Sequence, residues 1–349
     1  MAKMILFRAD GNKTIGAGHI MRCLSIADAL KDIGLESAFV TADDCMSGLI
    51  KSRGYDNIIL NTDYRETDGE LDTLFKLKEF NEADGIVADS YFATDSYLKA
   101  LSGKKKTVYI DDYLRIRPVD AIINYNVYAD TSKYNAEDSE KMPKLILGAS
   151  FAPLRGMFQN ITPITIRETV KNVLFLAGGS DPEHAALKFV DELKNHEDDF
   201  KYNIVIGALS EDYEVIREVA DLSGGRINVL KNVTDMAALM LDSDIAISAA
   251  GSTLYELCAC GVPTINYVLA DNQILAAKTF GNKEIMLYGG DLREDADAYN
   301  RMYSLIKKLS EDMVLRIKLS SKANIIIDGN GAMRLAKELE RFLIAYEKG

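Results

Sequence analysis

The stretch that most constrains the fold is residues 4–30, MILFRADGNKTIGAGHIMRCLSIADAL. Met4–Phe7 is a short apolar burst that ends at Arg8 and Asp10, the pattern of a buried parallel strand leaving its sheet at the C-terminal edge. A helix is expected from near Gly18, because Ile20, Leu24, Ala27 and Leu30 recur every three or four residues and form one apolar stripe. Between strand and helix lies Gly16-Ala17-Gly18-His19, whose glycines let backbone approach a ligand and leave N–H groups facing it. A lone histidine is more often a helix-start residue with no chemistry. Here it follows a G-x-G turn at a strand edge, where open α/β sheets place their ligands, and that favours a functional reading of His19.

The same rhythm continues through the chain. Further strands are expected at 36–41, 57–60, 85–89, 106–110, 121–124 and 145–148, with helices at 47–53 and 66–81. The strand at 85–89 ends in Asp89 and is followed by Ser90-Tyr91, which brings Tyr91 to the sheet edge that carries His19. Residues 151–166 hold two prolines and no periodicity, as a linker would. A second alternation follows, with strands at 172–177, 202–207, 226–230, 245–248 and 263–267 and helices up to 194 and at 212–222, 235–241 and 252–260. The remainder reads as mostly helical, at 295–309, 311–318 and 332–348. The expectation is α/β, with two doubly wound Rossmann-like domains: residues 1–152, residues 167–330, and a C-terminal helix at 331–349 able to pack back on the first domain.

The 349-residue chain is long for a single core, and a net charge of −12 argues against nucleic acid or an anionic membrane surface as a partner. No leader or membrane span is legible, so a cytoplasmic protein is expected. The four cysteines read as reduced thiols, and Cys258-x-Cys260 within a helix points its two sulfurs to different sides. With three histidines and dispersed acids, neither a metal nor a cofactor is expected. NAD is disfavoured because Met21 stands where the dinucleotide fingerprint needs a third small residue.

Two further loops suit an anion. Gly178-Gly179-Ser180-Asp181-Pro182 joins a strand to a helix, with Pro182 expected at the first helical position. Its phosphate-binding reading stands level with that of a tight turn capped by Asp181. Gly251-Ser252-Thr253 opens another helix, with Glu256 one turn on and able to accept hydrogen bonds from a ribose diol. A second anion-suited helix start in one domain favours the ligand reading. Ala270-Asp271-Asn272-Gln273 starts a third helix on the same edge.

Taken together, RADGNKTIGAGHIMRCLSIADAL, ADSY, IDD, INYNVYA, ILGASFAPLR, GGSDP, DMAALM, AAGSTLYEL and ADNQ resemble the UDP-2,4-diacetamido-2,4,6-trideoxy-β-L-altropyranose hydrolases of pseudaminic acid synthesis, within the wider MurG-like GT-B nucleotide-sugar enzymes. The resemblance runs from Met4 to about Phe280. It implies the GT-B architecture, two Rossmann-like domains facing a cleft, and hydrolysis of a UDP-amino sugar to UDP and free sugar with inversion, in cell-surface glycan synthesis. It makes His19 the catalytic histidine, Tyr91 an active-site tyrosine and Asn272 the asparagine of an N-Q pair. The expected substrate contacts are Asp10, Gly16, Gly18, Arg22, Tyr91, Asn272 and Gln273. The expected nucleotide contacts are Gly178, Gly179, Ser180, Gly251, Ser252, Thr253 and Glu256. Ser90 departs from the family, which often has histidine there, and so does His184. A UDP-sugar is the expected small-molecule partner, with pathway enzymes as further partners. Rival readings are a glycosyltransferase with the same donor site, a nucleotide-sugar 2-epimerase and a non-catalytic nucleotide-sugar binding protein.

Overall fold

A computed structural model describes residues 3–134, 142–179, 181, 183–207, 210–295 and 297–344. The chain divides into two compact units, Met1–Gly156 with Asn330–Gly349, and Met157–Gly329.

The first unit is built on a parallel sheet of β1 (Met4–Ala9), β2 (Glu36–Thr41), β3 (Asp56–Ile59), β4 (Gly85–Asp89), β5 (Thr107–Ile110), β6 (Ala121–Asn124) and β7 (Lys144–Leu147). Their spatial order is β3-β2-β1-β4-β5-β6-β7. Residues 5–9 of β1 and all of β4 are buried, as near-continuous apolar strands covered on both faces must be. Strand order reverses between β1 and β4, which pair directly, so the loops leaving these two strands diverge and open a crevice at their C-terminal ends. The helix Gly331–Leu339 belongs to this unit, and the chain beyond it sets Leu343 so close to Gly85 that a Cβ there would lie 2.7 Å from it.

The second unit holds β8 (Asn172–Leu176), β9 (Lys201–Ile206), β10 (Ile227–Lys231), β11 (Ile245–Ala249), β12 (Thr264–Val268) and β13 (Leu287–Asp291), ordered β10-β9-β8-β11-β12-β13 and all parallel. Here the switch point lies between β8 and β11. Each unit is therefore doubly wound, as the alternation predicts.

Several elements differ from expectation. The helix expected at 66–81 is instead a 3-10 turn at Thr67–Glu70 followed by short helices at Leu71–Leu74 and Lys78–Glu82, with Leu77 extended between them. The break lets Glu70 reach inward to β1 while Leu74 and Phe80 still cover the sheet. β13 is not among the expected strands, because the chain beyond residue 267 reads as mostly helical. Its glycines answer to packing: a Cβ on Gly289 would lie 3.0 Å from Met302, and Gly290 has φ +119° where the register with β12 shifts. The late helices run Ala298–Glu311, Met313–Ile326 and Gly331–Leu339, the last passing into a π turn at Glu340–Ile344.

Under the first unit's sheet edge lies a buried ion network. The Arg8 guanidinium donates to both Glu70 carboxylate oxygens at 2.6 and 2.7 Å and to Asp10 Oδ2 at 2.6 Å, and the Tyr97 hydroxyl donates to Glu70 at 2.7 Å. Arg8 and Glu70 are 1% and 0% exposed, so neither charge has water to fall back on. Burial alone would lower the Arg8 pKa, but its two carboxylates raise it. Glu70→Gln, which takes the bidentate carboxylate from a buried guanidinium and leaves it Asp10 alone, is expected to cost about 3 kcal/mol, read as a lower urea midpoint at unchanged m-value.

Candidate active site

His19 is the second residue of the helix Gly18–Asp32 and is 6% exposed. The loop before it is pinned by reciprocal backbone bonds between Asn12 and Gly16 and by Asn12 Oδ1, which accepts from the N–H groups of Thr14 and Ile15. Gly16 sits at φ +72°, a conformation natural to glycine, and no side chain caps the helix start. Across the switch point, β4 ends at Asp89, whose Oδ1 lies 2.5 Å from His19 Nδ1.

The state of this pair follows from its surroundings. Burial by itself would push the Asp89 pKa up, but Arg22 and His19 together hold it below the usual carboxylate range. An ionised carboxylate only accepts, so Nδ1 carries the proton. In the neutral ring Nε2 then holds the lone pair, the arrangement of a general base. Arg22 grips Asp89 bidentately, with Nε to Oδ2 at 2.6 Å and a terminal nitrogen to Oδ1 at 2.5 Å. Its other terminal nitrogen reaches Asp112 at 3.0 Å and the Tyr125 hydroxyl at 3.0 Å. Arg22, expected as a substrate contact, is thus occupied by two carboxylates and a phenol.

Tyr91 stands edge-on to the His19 ring, centroids 4.4 Å apart, and donates its hydroxyl to Asp112 at 3.0 Å. Asn126 also donates to Asp112, at 2.9 Å, so this carboxylate gathers Arg22, Tyr91 and Asn126. Asp10 is buried, its carboxylate committed to Arg8 and to the Ala42 N–H at 2.7 Å, and burial pushes its pKa up. Asp89 and Asp112 were not named as site residues from sequence. The available signal is that β4 ends in an acid and β5 is followed at once by two, ADSY and IDD.

In the second unit the loop after β8 contains Gly178 at φ +92° and lies against Gly207, where a Cβ would fall 2.1 Å from the Gly179 carbonyl oxygen. The following helix, Ala185–Leu193, begins later than Pro182; Pro182 and Ser180 lie outside the described residues. Its first N–H groups, from Ala185 and Ala186, are already taken by the Asp181 carboxylate at 2.8 and 3.0 Å. A carboxylate therefore stands where a phosphate would. His184 is half exposed, with Nδ1 2.8 Å from Asp212.

The helix after β11 differs. Thr253–Cys260 has no side-chain cap, Gly251 and Ser252 are exposed, and the Ser252 and Thr253 N–H groups have no acceptor among the described residues. Glu256 is buried one turn further in. After β12, Asn272 is exposed, while Gln273 Oε1 accepts the Leu269 N–H at 2.8 Å and holds the turn. The open helix start beside the switch point is thus that of Thr253–Cys260, the geometry that accepts an anion. No metal-binding cluster of His, Cys, Asp and Glu occurs among the described residues, and none of their helices is long and apolar enough to cross a membrane.

Residues 173–313 match the glycosyltransferase family 28 C-terminal domain. The spore coat polysaccharide biosynthesis protein SpsG of Bacillus subtilis is 26% identical over 345 residues, 95% of this chain and 96% of its own. The UDP-2,4-diacetamido-2,4,6-trideoxy-beta-L-altropyranose hydrolase of Campylobacter jejuni is 25% identical over 254 residues, 72% of this chain and 86% of its own. The chain spans about half the length of two other relatives it matches. Among solved structures, MurG of Acinetobacter baumannii superposes with a TM-score of 0.71 at 14% identity, over 97% of this chain and 99% of that one. The fold is therefore GT-B, two Rossmann-like domains of seven and six parallel strands.

Proposed function

We propose that the chain is a nucleotide-sugar hydrolase that cleaves the anomeric C–O bond of a UDP-amino sugar, UDP-2,4-diacetamido-2,4,6-trideoxy-β-L-altropyranose or a close relative. The family match in the second unit and the relatives named as hydrolases support a nucleotide-sugar enzyme of GT-B fold. The observation that carries the hydrolytic reading is the His19–Asp89 pair, which leaves Nε2 of His19 as a base at the switch point of the first sheet.

The reaction then runs as a single displacement. Nε2 of His19 takes a proton from water as the water oxygen bonds to the anomeric carbon. The bond from that carbon to the β-phosphate oxygen breaks, and its electron pair leaves with UDP. Attack opposite the leaving group inverts the anomeric centre. The uncapped N–H groups of Ser252 and Thr253 would hold the diphosphate and favour the charge it gains. Gly178, Gly179, Gly251 and Glu256 complete the proposed nucleotide site, and Tyr91 and Asn272 the proposed sugar contacts.

Two substitutions separate backbone from hydroxyl at the diphosphate. Ser252 has φ −58°, which proline adopts without strain, so Ser252→Pro removes an N–H and a hydroxyl while keeping the helix. It is expected to weaken UDP binding about 10–100-fold in calorimetric titration, the worth of hydrogen bonds to a charged group, and Ser252→Ala by less. Equal affinities in wild type and the proline variant would remove this helix start from the site.

The rival with a specific observation behind it is a glycosyltransferase that replaces water by an acceptor, because the solved structures of this fold include MurG. Incubation of the protein with UDP-amino sugars and no acceptor decides between them. Stoichiometric UDP and free sugar support the hydrolase; turnover only on adding an acceptor supports the transferase. A 2-epimer or an unchanged substrate would point to the epimerase or binding-protein reading.

A further inference from the structure

Among the described residues, the two exposed aromatic side chains of the molecule stand together beside His19: Tyr91 at 38% and Tyr113 at 60% exposure. Their rings meet edge to face with centroids 5.4 Å apart, and Tyr91 in turn meets the His19 ring at 4.4 Å. Other tyrosines of this unit are buried and spend their hydroxyls on the fold: Tyr97 on Glu70, Tyr109 on the Ser90 carbonyl, Tyr128 on the Asp112 carbonyl and Tyr134 on Asp111. The Tyr113 hydroxyl has no partner among the described residues. Yet its backbone is fixed, since its N–H donates to Asp111 Oδ1 at 3.0 Å and the next residue, Leu114, holds φ +58°. A large ring, packed edge to face on Tyr91, is thus held largely in water beside His19.

We infer that Tyr113 is a specificity-determining residue which, with Tyr91, forms an aromatic platform for the carbon-bound face of the acetamido-sugar ring. This rests on the nucleotide-sugar reading above. An aromatic face is electron-rich and attracts the polarised C–H bonds of a pyranose, and it shields the apolar methyl groups of an acetamido sugar from water. The neighbouring Asp89 and Asp112 carboxylates make the same place unfavourable for a phosphate, so the sugar, and not the diphosphate, is the occupant. Because the Tyr113 hydroxyl is unpartnered, the ring alone carries the effect.

The test uses saturation-transfer NMR with UDP-N-acetylglucosamine as probe, together with steady-state kinetics on UDP-amino sugars. In the wild type both uridine and pyranose protons are expected to receive saturation. In Tyr113→Ala the pyranose and acetamido signals should fall while the uridine signals persist, and KM should rise about 3–10-fold, as loss of an aromatic contact predicts. The inhibition constant of UDP should not change, and Tyr113→Phe should behave as wild type. Silent uridine protons in the wild type would overturn the nucleotide-sugar reading and this proposal with it. Persistent uridine signals with pyranose signals indifferent to Tyr113→Ala would overturn the proposal alone. Loss of the uridine signals in Tyr113→Ala would mean that the ring stacks on the base, and would overturn it equally.

Discussion

His19→Ala is expected to lose about 10²–10⁴-fold in kcat while binding UDP with wild-type affinity, the first read by ¹H NMR of sugar release and the second by calorimetry. The size is that of a missing general base. The separation arises because His19 belongs to the first unit, while the proposed diphosphate contacts, Ser252 and Thr253, belong to the second. In the wild type the first product seen should be the anomer inverted from the substrate. The competing base is His184, also paired to a carboxylate, Asp212, which raises its pKa. It is half exposed and stands in a left-handed conformation just before Ala185–Leu193, where Asp181 already occupies the first N–H groups. A near-normal His19 variant alongside a dead His184 variant would move the chemistry to the second unit and end the mechanism proposed here.

The fold was legible because its signals are local. Residues 4–30 declare a strand, a glycine loop and a helix without reference to any other part of the chain, and the same unit recurs in both halves. What stayed hidden depends on which strands become neighbours. Asp89 and Asp112 lie 70 and 93 residues beyond His19, and they gather around Arg22 only because β4 and β5 follow β1 in the sheet. The pairing of Arg22 with these two carboxylates is hidden for the same reason, since both partners are distant in sequence. The loop at 178–182 reads as a ligand loop once the second anion-suited helix start is weighed with it, and the bonds that the Asp181 carboxylate accepts from the Ala185 and Ala186 N–H groups show only in the fold. β13 was missed because Gly289 and Gly290 are dictated by close packing against Met302 and by a bulge, neither of which periodicity records.

Asp89→Asn is expected to damage both rate and stability, and the two losses have separable causes. The amide nitrogen of Asn can donate to His19 Nδ1, which turns the imidazole to the tautomer with its proton on Nε2 and removes the base while leaving the ring in place. A loss of about 10²–10⁴-fold in kcat follows, with UDP affinity unchanged. The stability loss arises instead from Arg22, which loses its bidentate carboxylate and keeps Asp112 as its charged partner. Removing one member of a buried pair costs about 3 kcal/mol at neutral pH. The pH dependence follows from the direction of the Asp89 shift. Its folded pKa lies below the ordinary 3.8, so its contribution is fully present above that value and is lost as pH falls through the folded one. The stability gap between wild type and Asp89→Asn should therefore be flat above about pH 5 and narrow on further acidification. A gap that instead closed on raising the pH would mean that Asp89 is protonated in the folded protein, and neither the base on His19 nor the grip on Arg22 would survive that result.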